Sequence, residues 1–162
     1  MTITVGDRLP KSVLVKATPD GPQPVDSEEF FGGRRVALFS VPGAFTPTCS
    51  ARHLPGFVEK AGDIQAKGVD EVACVAVNDA FVMQAWGDQA GASGKVTMLA
   101  DGNGDFAKAI GLTSDVSKFG MGIRGQRWSA VINDGVVEQL NVEEPGAFNV
   151  SSADYMLEHL PA

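Results

Sequence analysis

The stretch VPGAFTPTCS, residues 41–50, joins a short apolar run to a segment whose apolar residues have helical spacing. Thr46 is a favourable N-cap residue, and Pro47 suits the first position of a helix, where its missing N–H group would have no partner in any case. This places Cys49 in the first turn. We therefore expect a strand, a tight loop and a helix, with a cysteine at the start of the helix.

The residues around this stretch repeat the same alternation. Short, nearly continuous apolar runs at 35–41, 71–78 and 95–101 are typical of strands that are buried on both faces of a sheet. The segments between them, 46–68 and 78–91, have the periodicity of helices. The pattern predicts a β-α-β-α-β series.

The second half of the chain predicts a hairpin. A short helix is expected at 105–111, and residues 127–143 contain two alternating runs on either side of Asp134-Gly135, a dipeptide typical of hairpin turns. A last amphipathic segment, SADYMLEHL, occupies residues 152–160. We predict an α/β fold with a central mixed β-sheet flanked by helices, formed as one domain by residues 1–162.

The composition argues against several classes of protein. The 162 residues include 13 basic and 20 acidic ones, and the net charge of −7 disfavours nucleic acid or an anionic membrane as a partner. No apolar run approaches the length of a membrane span, and the first residues lack the apolar region of a secretory signal. We therefore expect a cytoplasmic protein. Two cysteines are too few for a metal knuckle or a disulfide scaffold.

The expected position of Cys49 favours a reactive role. Unpaired backbone N–H groups and the positive end of the helix dipole stabilise an anion in the first turn of a helix. A thiol there ionises more easily, and the thiolate is the nucleophilic form of cysteine. The alternative is a small buried hydrophobic residue, since many cysteines are interior. The sequence favours the reactive thiolate.

Pro42, Thr46 and Cys49 match the pattern P-x-x-x-T-x-x-C, and the whole stretch resembles its version in peroxiredoxins of the peroxiredoxin-5 type, or plant type II, subfamily. The similarity continues through three further segments, at residues 53–87, 99–111 and 126–137. The resemblance implies a thioredoxin-like fold. It also implies a thiol-dependent peroxidase that reduces hydrogen peroxide and alkyl hydroperoxides in antioxidant defence.

The resemblance further implies roles for individual residues. Cys49 would attack the hydroperoxide and become a sulfenic acid. The Thr46 hydroxyl would hydrogen-bond the peroxide or the thiolate besides capping the helix, and Pro42 would shield the thiolate or simply end the strand. Arg127 would donate to thiolate and peroxide and stabilise the charge that moves along the breaking O–O bond. Arg124 is a candidate for a supporting position behind it.

Three more residues are candidates near the site. His53 follows Cys49 by four residues, so the two share a helical face; a thiolate–imidazolium pair is one interpretation, and a capping or packing histidine is the other. Pro55 should kink the helix, which would help an oxidised cysteine to become exposed by local unwinding. Phe119, next to a glycine-rich loop, offers an apolar contact for substrate or a partner subunit.

Cys74 also has two interpretations. Its apolar strand predicts a buried, inert thiol, whereas the resemblance places a resolving cysteine here in parts of the subfamily. A disulfide needs Cα atoms within about 7 Å, so a bridge to Cys49 would require unwinding. Residues 149–155, NVSSADY, offer serines where animal members have a resolving cysteine. An external thiol, glutathione with glutaredoxin or thioredoxin, is therefore the expected reductant.

The resemblance implies a homodimer, with no metal and no bound organic cofactor. Three other functions compete with the peroxidase. A Cys-His hydrolase would need an orienting Asn or Asp and an oxyanion hole, which the sequence does not identify. A thiol-disulfide oxidoreductase would need a C-x-x-C pair, but Arg52 occupies the position of its second cysteine. A non-enzymatic binding module would have a Cys49 of ordinary thiol acidity.

Overall fold

A seven-stranded mixed β-sheet with helices on both faces forms the centre of the computed structural model, which describes residues 2–160. The strands of these residues are β1 (Val13–Lys16), β2 (Gln23–Asp26), β3 (Arg35–Ser40), β4 (Glu71–Ala76), β5 (Thr97–Ala100), β6 (Thr113–Asp115), β7 (Ile123–Gly125), β8 (Trp128–Asn133) and β9 (Val136–Val142). The strand order is β2-β1-β5-β4-β3-β8-β9, and β6 pairs with β7 separately. Strands β3, β4 and β5 are parallel to one another, whereas the remaining pairs are antiparallel. The predicted mixed sheet is confirmed.

Five α-helices are described: α1 (Ser27–Phe31), α2 (Leu54–Ala66), α3 (Ala80–Ala90), α4 (Asp105–Ile110) and α5 (Ala153–His159). A π-helical turn, Cys49–His53, leads into α2, and a single 3-10 turn covers Ser117–Phe119. Within residues 2–160 no helix combines the length and the apolar character needed to cross a bilayer.

The sheet separates two layers of core. Because side chains alternate along a strand, β3 sends Val36 and Leu38 into one layer and Phe39 into the other. Helices α1 and α4 cover the first layer, and α2, α3 and α5 cover the second. Phe39 stacks on Phe57 of α2 with 4.1 Å between ring centroids. The second layer also contains Cys49, so the start of the π-helical turn is built into the core.

The hairpin of β8 and β9 turns at the predicted dipeptide. Asp134 and Gly135 have φ angles of 49° and 79°, the paired positive values of a type I′ turn. Strand β8 also pairs with β3, with Trp128 opposite Ser40. The residue before β8, Arg127, therefore lies beside the loop that leaves β3. This pairing brings two segments 80 or so residues apart to one end of the sheet.

The first 34 residues carry structure that the sequence analysis did not assign. Strand β1 has four residues, and β2 includes Pro24, which a strand tolerates only at the edge of a sheet, where β2 lies. Helix α1 has five residues and is capped by the Asp26 carboxylate, which accepts from the Glu28 N–H group. Elements this short leave little periodicity to detect.

Candidate active site

The loop that leaves β3 carries Cys49 into the interior. Its backbone is held by Asn78, whose side-chain oxygen accepts from the Ala44 N–H group at 2.9 Å. Thr46 stands at the N-cap position as predicted, because its carbonyl accepts the first helical hydrogen bond from Ser50 N–H at 2.9 Å. Its hydroxyl, however, donates backwards to the Gly43 carbonyl at 2.7 Å. The Cys49 side chain is completely buried.

The helix begins with a widened turn where an ordinary α-helix was predicted. The Leu54 N–H group donates to the Cys49 carbonyl, five residues back, as in a π-helix. Pro55 has no N–H group and lies in the first turn of α2, so it cannot donate to the carbonyl four residues earlier. The sequence predicts a kink at Pro55, and the structure instead has a π-helical turn just before this proline. Both Cys49 and His53 face inward from it.

Arg127 connects these two side chains. One guanidinium nitrogen, Nη2, donates to the Cys49 sulfur at 3.0 Å, and the other, Nη1, donates to Nδ1 of His53 at 2.8 Å. A guanidinium group at this distance offers the sulfur a charge-assisted hydrogen bond. The structure therefore brings Cys49, His53 and Arg127 into contact.

His53 is the neutral partner in this arrangement. Its Nε2 atom lies 2.8 Å from the Ser151 carbonyl, which can only accept, so Nε2 carries the proton and Nδ1 accepts from Arg127. Burial and the neighbouring Arg127 charge lower the pKa of His53 to about 3. The thiolate–imidazolium pair considered from the sequence is therefore not supported. His53 instead orients the arginine.

Glu143 holds the backbone on the far side of His53. The carboxylate is buried and accepts from the backbone N–H groups of Asn149, Val150 and Ser151 at 2.8 to 3.0 Å, and from the Ser151 hydroxyl at 2.7 Å. Burial opposes ionisation, but these hydrogen bonds outweigh it and lower the pKa of Glu143 below its ordinary value of 4.5. The sequence analysis did not identify Glu143 as a site residue. The one feature that could have indicated it is its position directly after β9, the second strand of the hairpin.

An aromatic ring completes this side of the site. The Phe148 ring lies 5.0 Å from the His53 ring and 5.8 Å from the Arg127 guanidinium carbon, and the exposed Arg52 stacks on it at 4.6 Å. Phe148 was also missed, because nothing in the sequence distinguishes it from an ordinary core residue.

A depression of about 310 Å³ opens beside Arg127. Pro42, Thr48 and Arg127 line it, together with the segment Glu143–Ala147. Arg124 lies behind this wall: it donates to the carbonyls of Met121 and Pro42, at 2.9 and 3.4 Å, and has no contact with the sulfur. The supporting role expected for Arg124 stays a prediction.

Phe119 lies apart from the depression. It belongs to the 3-10 turn, its side chain is 71% exposed, and it does not line the depression beside Arg127. The structure therefore does not support a contact between Phe119 and a substrate within this subunit.

Cys74 lies in the middle of β4, paired with Phe39 of β3 on one side and Met98 of β5 on the other. It is completely buried, and both cysteines are free thiols. Burial, with Cys49 nearby, raises the pKa of Cys74 well above its ordinary value. Such a thiol stays protonated and is a poor nucleophile, as the packing interpretation requires.

Across residues 2–160, no three His, Cys, Asp or Glu side chains are grouped as metal ligands would be.

Comparisons with known proteins identify the family to which the chain belongs. The redoxin family model matches residues 4–157. The chain is 51% identical to peroxiredoxin-2E-2, chloroplastic, of Oryza sativa subsp. japonica, over 98% of this chain and 73% of the relative. It is 43% identical to peroxiredoxin-2B of Arabidopsis thaliana, over 98% of each. The structure of reduced Prx3 from Vibrio vulnificus in complex with H₂O₂ is 48% identical and has a TM-score of 0.95, covering 99% of this chain and 100% of that one.

The similarity to solved peroxiredoxin structures shows that this mixed α/β sheet is part of a thioredoxin-like fold. The chain therefore belongs to the redoxin family and is a peroxiredoxin, a thiol-dependent peroxidase, of the peroxiredoxin-5 or plant type II kind.

Proposed function

We propose that Cys49 is the thiolate that reduces the hydroperoxide and that Arg127, Thr46 and Pro42 form its immediate surroundings. The observation that carries the proposal is the 3.0 Å contact between Arg127 Nη2 and the Cys49 sulfur, because Arg127 also lines the depression. The sulfur attacks the terminal peroxide oxygen, an S–O bond forms and the O–O bond breaks. The departing oxygen takes a proton and leaves as water or an alcohol, and Cys49 is left as a sulfenic acid.

Arg127 and Thr46 stabilise this step in different ways. The guanidinium charge lies beside the sulfur and faces the depression, so it stabilises the thiolate and the negative charge that moves onto the departing oxygen. The Thr46 proton is already donated to the Gly43 carbonyl. Its oxygen is therefore oriented to accept a hydrogen bond from the peroxide O–H group.

The depth of Cys49 favours small substrates. Its side chain has no exposed surface, and Pro42 lines the depression that Arg127 shares. Hydrogen peroxide and slender alkyl hydroperoxides can pass such an opening, and the similar Vibrio vulnificus protein was determined in complex with H₂O₂. We propose these two classes as substrates, in antioxidant defence and cell redox homeostasis.

The reductant is proposed to be an external thiol. Cys74 is protonated and held between two strands, so it is poorly placed to attack the sulfenic acid. A thiol from outside would form a mixed disulfide with Cys49 and release water, and a second thiol would restore the cysteine. Glutathione with glutaredoxin, or thioredoxin, can supply both. Because Cys49 is buried, the π-helical turn must unwind for this step.

A homodimer is proposed as well. Phe81 is 72% exposed at the start of α3, and Phe45 is 47% exposed and lies against the same helix, 6.4 Å from the Trp86 ring. Exposed aromatic residues are enriched at interfaces between subunits. The cytoplasmic location stays a prediction from the sequence.

The experiment that tests the role of Cys49 compares two cysteine variants. Reduced wild type, Cys49→Ser and Cys74→Ala are each mixed with a slight excess of hydrogen peroxide, and peroxide consumption and intact mass are followed. We expect rapid consumption in wild type and Cys74→Ala, with one oxygen gained on Cys49, and none in Cys49→Ser. Consumption that survives Cys49→Ser would contradict the proposal.

A further inference from the structure

We propose that Glu143 is a positioning residue for peroxide reduction, which acts through Ser151 and His53 to fix Arg127 against the Cys49 sulfur. The inference rests on the role proposed above for Arg127. It adds a side chain that touches neither the sulfur nor the guanidinium group, yet determines where the guanidinium group points.

The first link is between the carboxylate and the loop. Glu143 Oε2 accepts from the N–H groups of Asn149, Val150 and Ser151, each at 2.8 Å, and from the Ser151 hydroxyl at 2.7 Å. Three consecutive backbone N–H groups directed at one oxygen fix the path of the chain around it. The carboxylate therefore determines the direction of the Ser151 carbonyl.

The second link is between this carbonyl and the imidazole. Ser151 O lies 2.8 Å from His53 Nε2, and only a protonated Nε2 can donate to it. The opposite ring nitrogen, Nδ1, is then an acceptor and receives Arg127 Nη1 at 2.8 Å. If the carbonyl moved, the proton could shift to Nδ1, which would then oppose the N–H group of Arg127. The loop thus selects the tautomer that binds the arginine.

The third link is through the backbone of the hairpin. The Glu143 N–H group donates to the Arg127 carbonyl at 3.0 Å, so the main chains of the two residues are also joined. Arg127 is consequently held at its carbonyl by Glu143 and at its guanidinium group by His53.

This arrangement orients the guanidinium group and leaves its charge available. Among the described residues, no carboxylate forms an ion pair with Arg127, and the Glu143 charge is directed at backbone N–H groups. A carboxylate placed directly on Arg127 would compete with the thiolate and the peroxide for the same positive charge. A neutral imidazole holds the group without that competition.

Four variants test the proposal, with Arg127→Gln as the reference. Glu143→Gln removes the charge and turns an N–H group toward the loop, and His53→Leu removes both ring hydrogen bonds. His53→Gln keeps an acceptor and a donor that can meet Arg127 and Ser151. Glu158→Gln makes the same charge change as Glu143→Gln at an exposed position of α5 and is the matched control.

The readout is the second-order rate constant of Cys49 oxidation by hydrogen peroxide in a single turnover, and rescue of this rate by His53→Gln relative to His53→Leu distinguishes positioning from packing. We expect Glu143→Gln and His53→Leu to slow oxidation about 10- to 100-fold, the size of effect that a displacement of about 1 Å has on a reacting group. His53→Gln should retain most of the rate, and Glu158→Gln all of it.

The outcomes separate the two proposals. If Arg127→Gln is slow while Glu143→Gln and His53→Leu react like wild type, the positioning role is wrong and that of Arg127 stands. If Arg127→Gln itself reacts like wild type, the proposed function of Arg127 fails and the inference fails with it. Equal losses in His53→Gln and His53→Leu would assign His53 to packing and overturn the proposal. If circular dichroism shows that Glu143→Gln does not fold, the comparison of the oxidation rates of His53→Gln and His53→Leu tests the proposal.

Discussion

His53 accepts a hydrogen bond from Arg127 at 2.8 Å, so a neutral imidazole lies against the guanidinium group. A pKa of about 3, caused by burial and then by the Arg127 charge, keeps the ring neutral at any pH near neutrality. The positive charge next to the Cys49 sulfur is therefore that of Arg127 alone. Its magnitude does not change with pH over the range in which histidines ordinarily titrate.

This neutral histidine makes the stability of the protein depend on pH. Between the ordinary pKa of 6.5 and the folded value of about 3, the unfolded state binds a proton that the folded state does not. The contribution of His53 is therefore complete above 6.5 and falls as the pH decreases through this window, by at most about 1.4 kcal/mol per pH unit. Urea unfolding of wild type and His53→Gln at a series of pH values should show a steeper decline for wild type. His159→Gln, at an exposed histidine, is the control, and parallel curves for all three proteins would contradict the prediction.

The Thr46 hydroxyl predicts a difference between two substitutions. Thr46→Val keeps the shape of the side chain but removes the hydrogen bond to Gly43 and the acceptor for the peroxide, whereas Thr46→Ser keeps both. We expect the valine variant to react with hydrogen peroxide at least about tenfold more slowly, equivalent to one lost hydrogen bond. The serine variant should stay close to wild type. Stopped-flow kinetics of peroxide reduction measure this difference. Equal rates for the two variants would remove the role of the hydroxyl in peroxide reduction and leave Thr46 with its N-cap position alone.

Pro55 should influence the reduction of oxidised Cys49. In Pro55→Ala the new N–H group can donate to the carbonyl four residues earlier, which favours an ordinary α-helical turn over the π-helical one. A more stable turn should unwind less readily, so we expect reduction by an external thiol to become several-fold slower while peroxide reduction changes little. Pro22→Ala, at an exposed proline before β2, is the control. Unchanged reduction kinetics in Pro55→Ala would remove this role.

Cys74 should take no part in turnover. Its protonated, buried thiol predicts that wild type treated with one equivalent of hydrogen peroxide gains oxygen and does not lose two hydrogens. Cys74→Ala should turn over as wild type does with glutathione and glutaredoxin or with thioredoxin. A two-hydrogen mass loss that Cys74→Ala abolishes would identify Cys74 as a resolving thiol after all.

The exposed ring of Phe81 predicts the effect of a surface substitution on assembly. If Phe81 lies in the dimer interface, Phe81→Ser removes apolar contact area and should shift sedimentation toward the monomer at micromolar concentration. Val5→Ser, at a residue that is 59% exposed near the N-terminus, should leave sedimentation unchanged. Equal sedimentation of both variants and wild type would contradict a dimer interface at Phe81.

Much of the site was accessible from the sequence because its signals are local. The cap and proline before Cys49, the apolar run of β3 and the Asp134-Gly135 turn each predict a conformation from a few neighbouring residues. Pairing β8 with β3 then brings Arg127 to the sulfur.

The remainder depends on contacts between distant segments. The Ser151 carbonyl, 98 residues away in the sequence, determines which nitrogen of His53 carries the proton. The role of Glu143 depends on backbone N–H groups of a loop, which no pattern of side chains predicts. The π-helical turn arises from a missing donor at Pro55, which from the sequence alone predicts distortion without specifying its form.

The register of β8 and β9 has a consequence for how the length of this chain can vary. Trp128 pairs with Val142, and one extra residue, Glu138, is already accommodated in a bulge between them. Inserting or deleting a single residue within either strand would turn Arg127 or Glu143 away from the site, because neighbouring positions on a strand face opposite ways. We therefore expect insertions and deletions to be tolerated in turns such as residues 17–22 and to slow peroxide reduction when they fall within Trp128–Asn133 or Val136–Val142.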